Sequence, residues 1–175
     1  MSAADDAIDE RLLAQNMADQ KATEWAYTTD ERRNLKREVS DAFSRALMAG
    51  ARRPLEFKGF GAEGIVFCDD RAHAFKVGRG NRSLENEAGW LETASGIPEI
   101  AGHVAKFYRY HPNENVIERE CVEPFPLLDV FAKIERVMLK HGWTAPESKD
   151  DSFVFSARGP VLVDAGFTHH IGDSR

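Results

Sequence analysis

Gly59, Gly61 and Gly64 lie directly before the apolar run at 65–68. Their G-x-G-x-x-G spacing occurs in two settings, which differ in the element that comes after the third glycine. A dinucleotide-binding loop leads into a helix whose N-terminus faces the pyrophosphate. Here β-branched and aromatic residues come next and predict a strand. The segment is therefore predicted to be a β-hairpin whose bare backbone can approach phosphate oxygens. An ordinary glycine-rich hairpin without a ligand fits the same spacing.

The next apolar run, at 73–77, predicts a second strand of the same sheet. Alternation along a strand places Ala74 and Lys76 on one face, with Phe75 and Val77 on the other. On that face, Ala74 together with Val66 would offer a flat contact to a nucleotide base, and the Lys76 ammonium could reach the phosphates. A lysine at the end of a strand is more commonly a solvated surface residue, and this alternative stays open.

Such a lysine needs a carboxylate partner, and the helix predicted over 83–95 offers two. Glu87 is the preferred candidate because Leu91, four residues later, continues the apolar face of the helix. Glu85 is interpreted as surface charge.

The first fifty residues predict a helical hairpin that packs on its own domain. Residues 5–27 carry apolar positions at mostly helical spacing, and 28–31 reads as a capping box that opens a second helix. Gly50 is placed to end that helix. The apolar positions are Ile8, Leu12, Leu13, Met17 and Trp25 in the first helix and Leu35, Val39, Phe43 and Leu47 in the second.

The rest of the chain predicts a hairpin over 104–110 and 116–121, a periodic helix over 127–143 and a short hairpin around 158–159. In this order the parts resemble the protein-kinase-like superfamily. The matching pieces are the glycine loop completed by Val66, the A-x-K of Ala74 and Lys76, the helix acid Glu87, and the VLVDAG segment with Asp164.

This resemblance implies an α+β protein-kinase-like fold that binds ATP and Mg²⁺. We expect an N-terminal helical extension over 1–52, a small antiparallel β N-lobe over 53–123 and a reduced helical C-lobe over 124–175. The glycines, Val66, Ala74 and Lys76 would bind the nucleotide, together with hinge residues Glu120, Cys121 and Val122. Asp164 and Asp151 would hold the metal, and the catalytic set would be Lys76, Glu87, Asp150, Asp151 and Asp164.

The sequence departs from the kinase pattern at two places. Pro146 stands where the catalytic Asp is expected, and no H-R-D triplet is present, so Asp150 or Asp151 is the candidate base, with His141 and Glu147 as further replacements. Nine residues follow Gly166, and they contain no counterpart of the activation segment.

Net charge and composition limit which binding partners and which cellular compartment the sequence predicts. A net charge of -6 argues against non-specific binding to nucleic acid. The acidic N-terminal segment and the lack of a 20-residue apolar run argue against a leader peptide and a membrane span. Cys68 and Cys121 have neither zinc-site spacing nor the density of a disulfide scaffold, which predicts a reducing, cytoplasmic compartment.

Three functions remain open at this point. The first is a minimal phosphotransferase acting on a protein Ser/Thr or another hydroxyl, similar in size to the kinases that bacteria deliver as effectors into a host cytosol. The second is a pseudokinase that binds ATP and a protein partner without transferring phosphate. The third is an α+β protein without enzymatic activity, in which the loop, the lysine and the acids are surface features.

Overall fold

The computed structural model of the chain describes residues 3–124, 128–144, 153–156 and 159–162. The chain divides into two compact units. The first consists of Met1–Arg82 with His111–Val116, and the second of Ser83–Tyr110 with Ile117–Arg175. Antiparallel strand pairing and separate helices make this an α+β protein.

The first unit contains a helical hairpin and three strands. The helices are α1 (Ala3–Glu24) and α2 (Thr29–Met48), and the strands are β1 (Glu56–Phe60), β2 (Gly64–Cys68) and β3 (His73–Gly78). The strands pair antiparallel in the order β1-β2-β3, with an irregularity between Phe57 and Gly59. The predicted hairpin and both predicted strands are thus confirmed.

The start of α2 has the predicted capping box. The Thr28 hydroxyl accepts a hydrogen bond from Glu31 N at 3.3 Å, and the Glu31 carboxylate accepts one from Thr28 N at 2.7 Å. The hydrogen bond that the carboxylate accepts from the Thr28 backbone is the main cause that lowers the pKa of Glu31. The helix ends at Met48, and Gly50 follows with φ of +93°, a left-handed conformation that glycine adopts at low cost.

The two helices pack on the three strands through one apolar core. From α2 this core takes Leu35, Val39 and Phe43, as predicted. From α1 it takes three alanines, Ala14, Ala18 and Ala22, spaced by four residues. Four of the five apolar residues that the helical spacing marked in the first helix are instead exposed; they are Leu12, Leu13 and Met17 in α1 and Trp25 directly after it. The side chain of the fifth, Ile8, lies outside what the structure describes.

Small residues explain this difference, because they let α1 approach its neighbours closely while its larger side chains stay outside. A bidentate ion pair adds to the contact between the helices, with Arg32 donating to both Asp19 oxygens at 2.8 Å. The hydrogen bonds from Arg32 lower the pKa of Asp19.

The second unit holds the remaining elements. They are α3 (Glu85–Gly96), a 3₁₀ turn (Ala101–His103), β4 (Phe107–His111), β5 (Val116–Glu120), β6 (Glu123–Pro124), α4 (Leu128–Lys140), β7 (Phe153–Ser156) and β8 (Gly159–Leu162). The β4–β5 hairpin tip, His111–Val116, belongs to the first unit. A three-stranded sheet has the order β6-β7-β8, and its β7–β8 hairpin matches the prediction, whereas β6 was not predicted.

Two further findings concern membrane-spanning helices and the state of the cysteines. None of the helices within the described ranges is long and apolar enough to cross a bilayer. Neither Cys68 nor Cys121 is a free thiol. The prediction of a reducing compartment therefore loses the support that it drew from the cysteines.

Candidate functional site

Lys76 is a buried lysine in the middle of a sheet, with only 5% of its surface exposed. Antiparallel pairing of β2 and β3 makes Val66 its cross-strand partner. This low exposure excludes a solvated surface lysine. Because burying an ammonium is costly, anionic or hydrogen-bonding groups must surround it. The alternative of a surface lysine, left open by the sequence, is thus wrong.

The two faces of the sheet are divided as alternation predicts. Phe67, Phe75 and Val77 belong to the core shared with the helices. Val66 and Lys76, as direct partners, therefore lie together on the opposite face, and Ala74 lies there too, two residues from Lys76. The three residues chosen for the nucleotide site thus share one surface.

The glycine loop is a tight hairpin between β1 and β2. Gly61 N donates a hydrogen bond to Gly64 O at 2.9 Å, and Gly59 lies opposite Val66. A Cβ on Gly64 would lie 3.0 Å from both Lys76 Cγ and Val77 O, so the absence of a side chain there lets Lys76 pass against the loop. A Cβ on Gly61 would meet no atom of the described residues within 4 Å.

The glycines therefore have different roles. Packing requires Gly64, whereas nothing that the structure describes requires a glycine at 61. Open space at Gly61 is what a ligand would need in order to approach the backbone of the loop.

Glu63, within the loop, is a site residue that the sequence analysis missed. Its carboxylate lies 3.9 Å from Lys76 Nζ and 3.8 Å from Arg82 Nη1. No periodicity marks this position; the only signal is an acid immediately before the third glycine. The glycine loop therefore brings a negative charge to the lysine that was assigned to phosphate.

The two acidic residues of α3 are buried and exposed as the apolar pattern of the helix predicted. Glu87 is buried, with 5% exposed, and Glu85 is exposed. Lys76 belongs to the first compact unit and Glu87 to the second, and their pairing stays a prediction.

The hinge candidates lie at the end of β5 and directly after it. Glu120 N donates to Lys106 O at 2.9 Å, and Glu120 O accepts from Arg119 Nη1 at 3.0 Å. With both backbone polar groups engaged, Glu120 is the least suited of the three to bind a base. Cys121 and Val122 stay as predictions.

His141, the one base candidate within the described residues, directly follows α4 and is exposed. The candidates for the metal and the other candidates for the base lie outside the described residues. They are Asp150, Asp151 and Asp164, together with Pro146, Glu147 and the rest of the VLVDAG segment beyond Leu162. Within the described residues, no group of three or more His, Cys, Asp or Glu side chains is arranged to hold a metal ion.

Comparisons with known proteins show a likeness in fold to a kinase domain. No family model matches the sequence, and none of the curated proteins is significantly similar to it. Among solved structures, the crystal structure of the PF14_0431 kinase domain matches with a TM-score of 0.53 and 15% identity. The match covers 69% of this chain and 52% of that domain, so this chain spans about half its length. At this identity the likeness concerns the fold alone, which is similar to part of a kinase domain.

Proposed function

We propose that the protein is a minimal kinase-like phosphotransferase that uses ATP and Mg²⁺ and transfers phosphate to a hydroxyl group, such as that of a protein Ser or Thr. One observation carries the proposal. Lys76 is buried against Gly64 in a glycine-rich hairpin, within a fold similar to part of a kinase domain.

The arrangement suits a triphosphate because two cationic side chains lie beside a loop that a ligand can approach. Lys76 and Arg82 supply two cations beside the loop. The Cα of Gly61 is open, so a phosphate can come close to the loop there, while Gly61 N itself donates to Gly64 O. Val66 and Ala74, which share this sheet face, are proposed to contact the base.

Phosphoryl transfer depends mainly on positioning and charge neutralisation, which such groups supply. ATP would contribute the phosphoryl group. Asp164 and Asp151 are proposed to hold Mg²⁺, since this ion prefers carboxylate oxygens.

Nucleotide binding is the first test. Calorimetry with ATP and Mg²⁺ should give saturable heat for the wild type and none for Lys76→Met, because the buried cation is lost. Lys58→Met is the matched control: Lys58 lies on β1 of the same sheet, is exposed, and pairs with Glu56 at 2.9 Å. Equal binding by wild type and Lys76→Met, or no binding by wild type, would reject the nucleotide site.

Transfer is the second test, and it separates the enzyme from a pseudokinase. The pseudokinase is favoured by one observation, that Pro146 stands where the resemblance places the catalytic Asp. Incorporation of γ-labelled phosphate by wild type, lost in Asp164→Ala, would support the enzyme. Binding of ATP without any transfer to itself or to added protein would favour the pseudokinase.

A further inference from the structure

Arg79 lies directly after β3 and contacts the glycine loop on both sides of its tip. Its backbone N donates to Glu63 O at 2.9 Å, and its Nη1 donates to Gly61 O at 3.1 Å. One residue thus fixes the two carbonyls that flank Ala62. A glycine-rich loop loses more backbone entropy on ordering than other sequences do. Hydrogen bonds that hold it in one conformation are therefore especially important.

The same guanidinium is held by the helical hairpin. Arg79 Nε donates to the Glu38 carboxylate on α2, and the guanidinium lies 5.6 Å from the centre of the Phe60 ring. Burial lowers the pKa of Arg79, and hydrogen bonds with Glu38 and Tyr27 more than offset this, so the group stays cationic.

Phe60 gives the hairpin a second contact with the loop, because it stands between Gly59 and Gly61 in the chain. Its ring lies 5.0 Å from that of Trp25 and 5.9 Å from that of Tyr27, measured between centroids. Both aromatic residues come from the connection between α1 and α2. The glycine loop is therefore tied to the helical hairpin by an ion pair and by an aromatic cluster.

We propose that Arg79 is a positioning residue through which the α1–α2 hairpin holds the glycine loop in one conformation. The consequence for ligand binding rests on the proposed function: a loop ordered in advance loses less entropy when it closes on phosphates, so nucleotide binds more tightly. Arg79 is not itself assigned a contact with the nucleotide.

Hydrogen–deuterium exchange of the 175-residue chain without nucleotide tests the positioning role directly. In Arg79→Lys, exchange over 59–66 should become at least about threefold faster, because the single nitrogen of lysine replaces the separated Nε and Nη1 donors that reach Glu38 and Gly61 O. Glu38→Gln, which keeps the shape of the side chain and removes its charge, should act in the same direction. Exchange over 85–96 should stay unchanged in both variants.

Asp41→Asn is the matched control. Asp41 also lies on α2 and pairs with an arginine, Arg45, at 3.1 Å. Arg45 donates to Gly78 O and Glu114 O, which lie outside the glycine loop. Exchange over 59–66 should therefore equal that of wild type in this variant. Unchanged loop exchange in both Arg79→Lys and Glu38→Gln would overturn the positioning role.

Calorimetry with ATP and Mg²⁺ then separates this inference from the proposed function. For Arg79→Lys we expect the Kd to rise about fivefold, the change expected for one lost hydrogen bond of about 1 kcal/mol. Faster loop exchange with an unchanged Kd would reject the effect on binding. Faster loop exchange in a protein whose wild type binds no ATP would leave the positioning role intact and reject the proposed function.

Discussion

The Glu63 carboxylate lies 3.9 Å from Lys76 Nζ, and it comes from the same loop that would cover a nucleotide. Its other neighbour is Arg82, at 3.8 Å. The cations assigned to phosphate are therefore already neutralised in part by the protein itself. An entering triphosphate would have to compete with this carboxylate or displace it.

Glu63→Gln should therefore strengthen ATP binding, by about three- to tenfold, since a charge pair at this distance contributes on the order of 1 kcal/mol even with the full screening of bulk water. The measurement is calorimetric titration with ATP and Mg²⁺ at constant ionic strength. Glu85→Gln, which removes an exposed acid from α3, serves as the control. Weaker binding by Glu63→Gln would mean that this acid assists the ligand instead of competing with it.

The glycines at 61 and 64 should respond differently to an added methyl group. Gly64→Ala should lower the free energy of unfolding by about 1 to 3 kcal/mol, because its Cβ would press on Lys76 and on the Val77 carbonyl oxygen. Gly61→Ala should leave stability within about 0.5 kcal/mol of wild type. Urea denaturation of both variants makes the comparison.

ATP binding by the same two glycine variants provides a second test. If ligand approaches the open backbone, Gly61→Ala should weaken ATP binding although the protein is fully stable. Full ATP affinity in stable Gly61→Ala would show that the open side of the loop is not used.

Asp69 should contribute to the acid sensitivity of the first unit. Its buried carboxylate accepts hydrogen bonds from the amides of Arg52, Arg71 and His73 and from Arg71 Nε, at 2.8 to 3.2 Å. Burial raises the pKa of Asp69, but the hydrogen bonds from Arg71 and the three amides outweigh it and leave the pKa below its usual 3.8. A lowered native pKa means that this stabilisation is complete above about pH 4 and is lost as the pH falls through the native value.

Asp69→Asn should accordingly cost about 1 to 3 kcal/mol at neutral pH, because an amide replaces one of the two acceptor oxygens with a donor. Urea unfolding at pH 7, 5 and 3 should show the difference from wild type shrinking at the lowest pH. Asp70→Asn, at the exposed neighbouring position, should differ little from wild type at every pH. A constant difference for Asp69→Asn across this range would contradict the assignment.

The periodic spacing of apolar residues was enough to predict which side chains share a face of a strand or a helix. The common face of Val66, Ala74 and Lys76 follows from the two-residue period of a strand, and the burial of Glu87 follows from the apolar face of α3. The strand β6 could not be predicted in this way, because it consists of Glu123 and Pro124 and exists only through its pairing with β7.

Side-chain contacts across a hairpin were also beyond the sequence. Nothing in the spacing of the glycine loop indicates that Glu63 approaches Lys76 or that Arg79 donates to Gly61 O. Such contacts depend on the turn geometry and on neighbours from other elements, such as Glu38 on α2. The apolar pattern of α1 gave the wrong buried face because hydrophobicity ranks leucine above alanine, whereas close packing selects small side chains.

The alanine face of α1 supplies a last prediction. Ala18 is fully buried in the core that contains Leu35 and Val39 of α2, whereas Leu13 is 61% exposed. Ala18→Leu should lower the free energy of unfolding by about 1 to 3 kcal/mol, because three extra carbons cannot enter a packed interface without displacing the helix. Leu13→Ala, the control on the same helix, should change it by less than about 0.5 kcal/mol. Urea denaturation with an unchanged m-value measures both. A larger loss for Leu13→Ala than for Ala18→Leu would show that α1 buries its leucines and not its alanines.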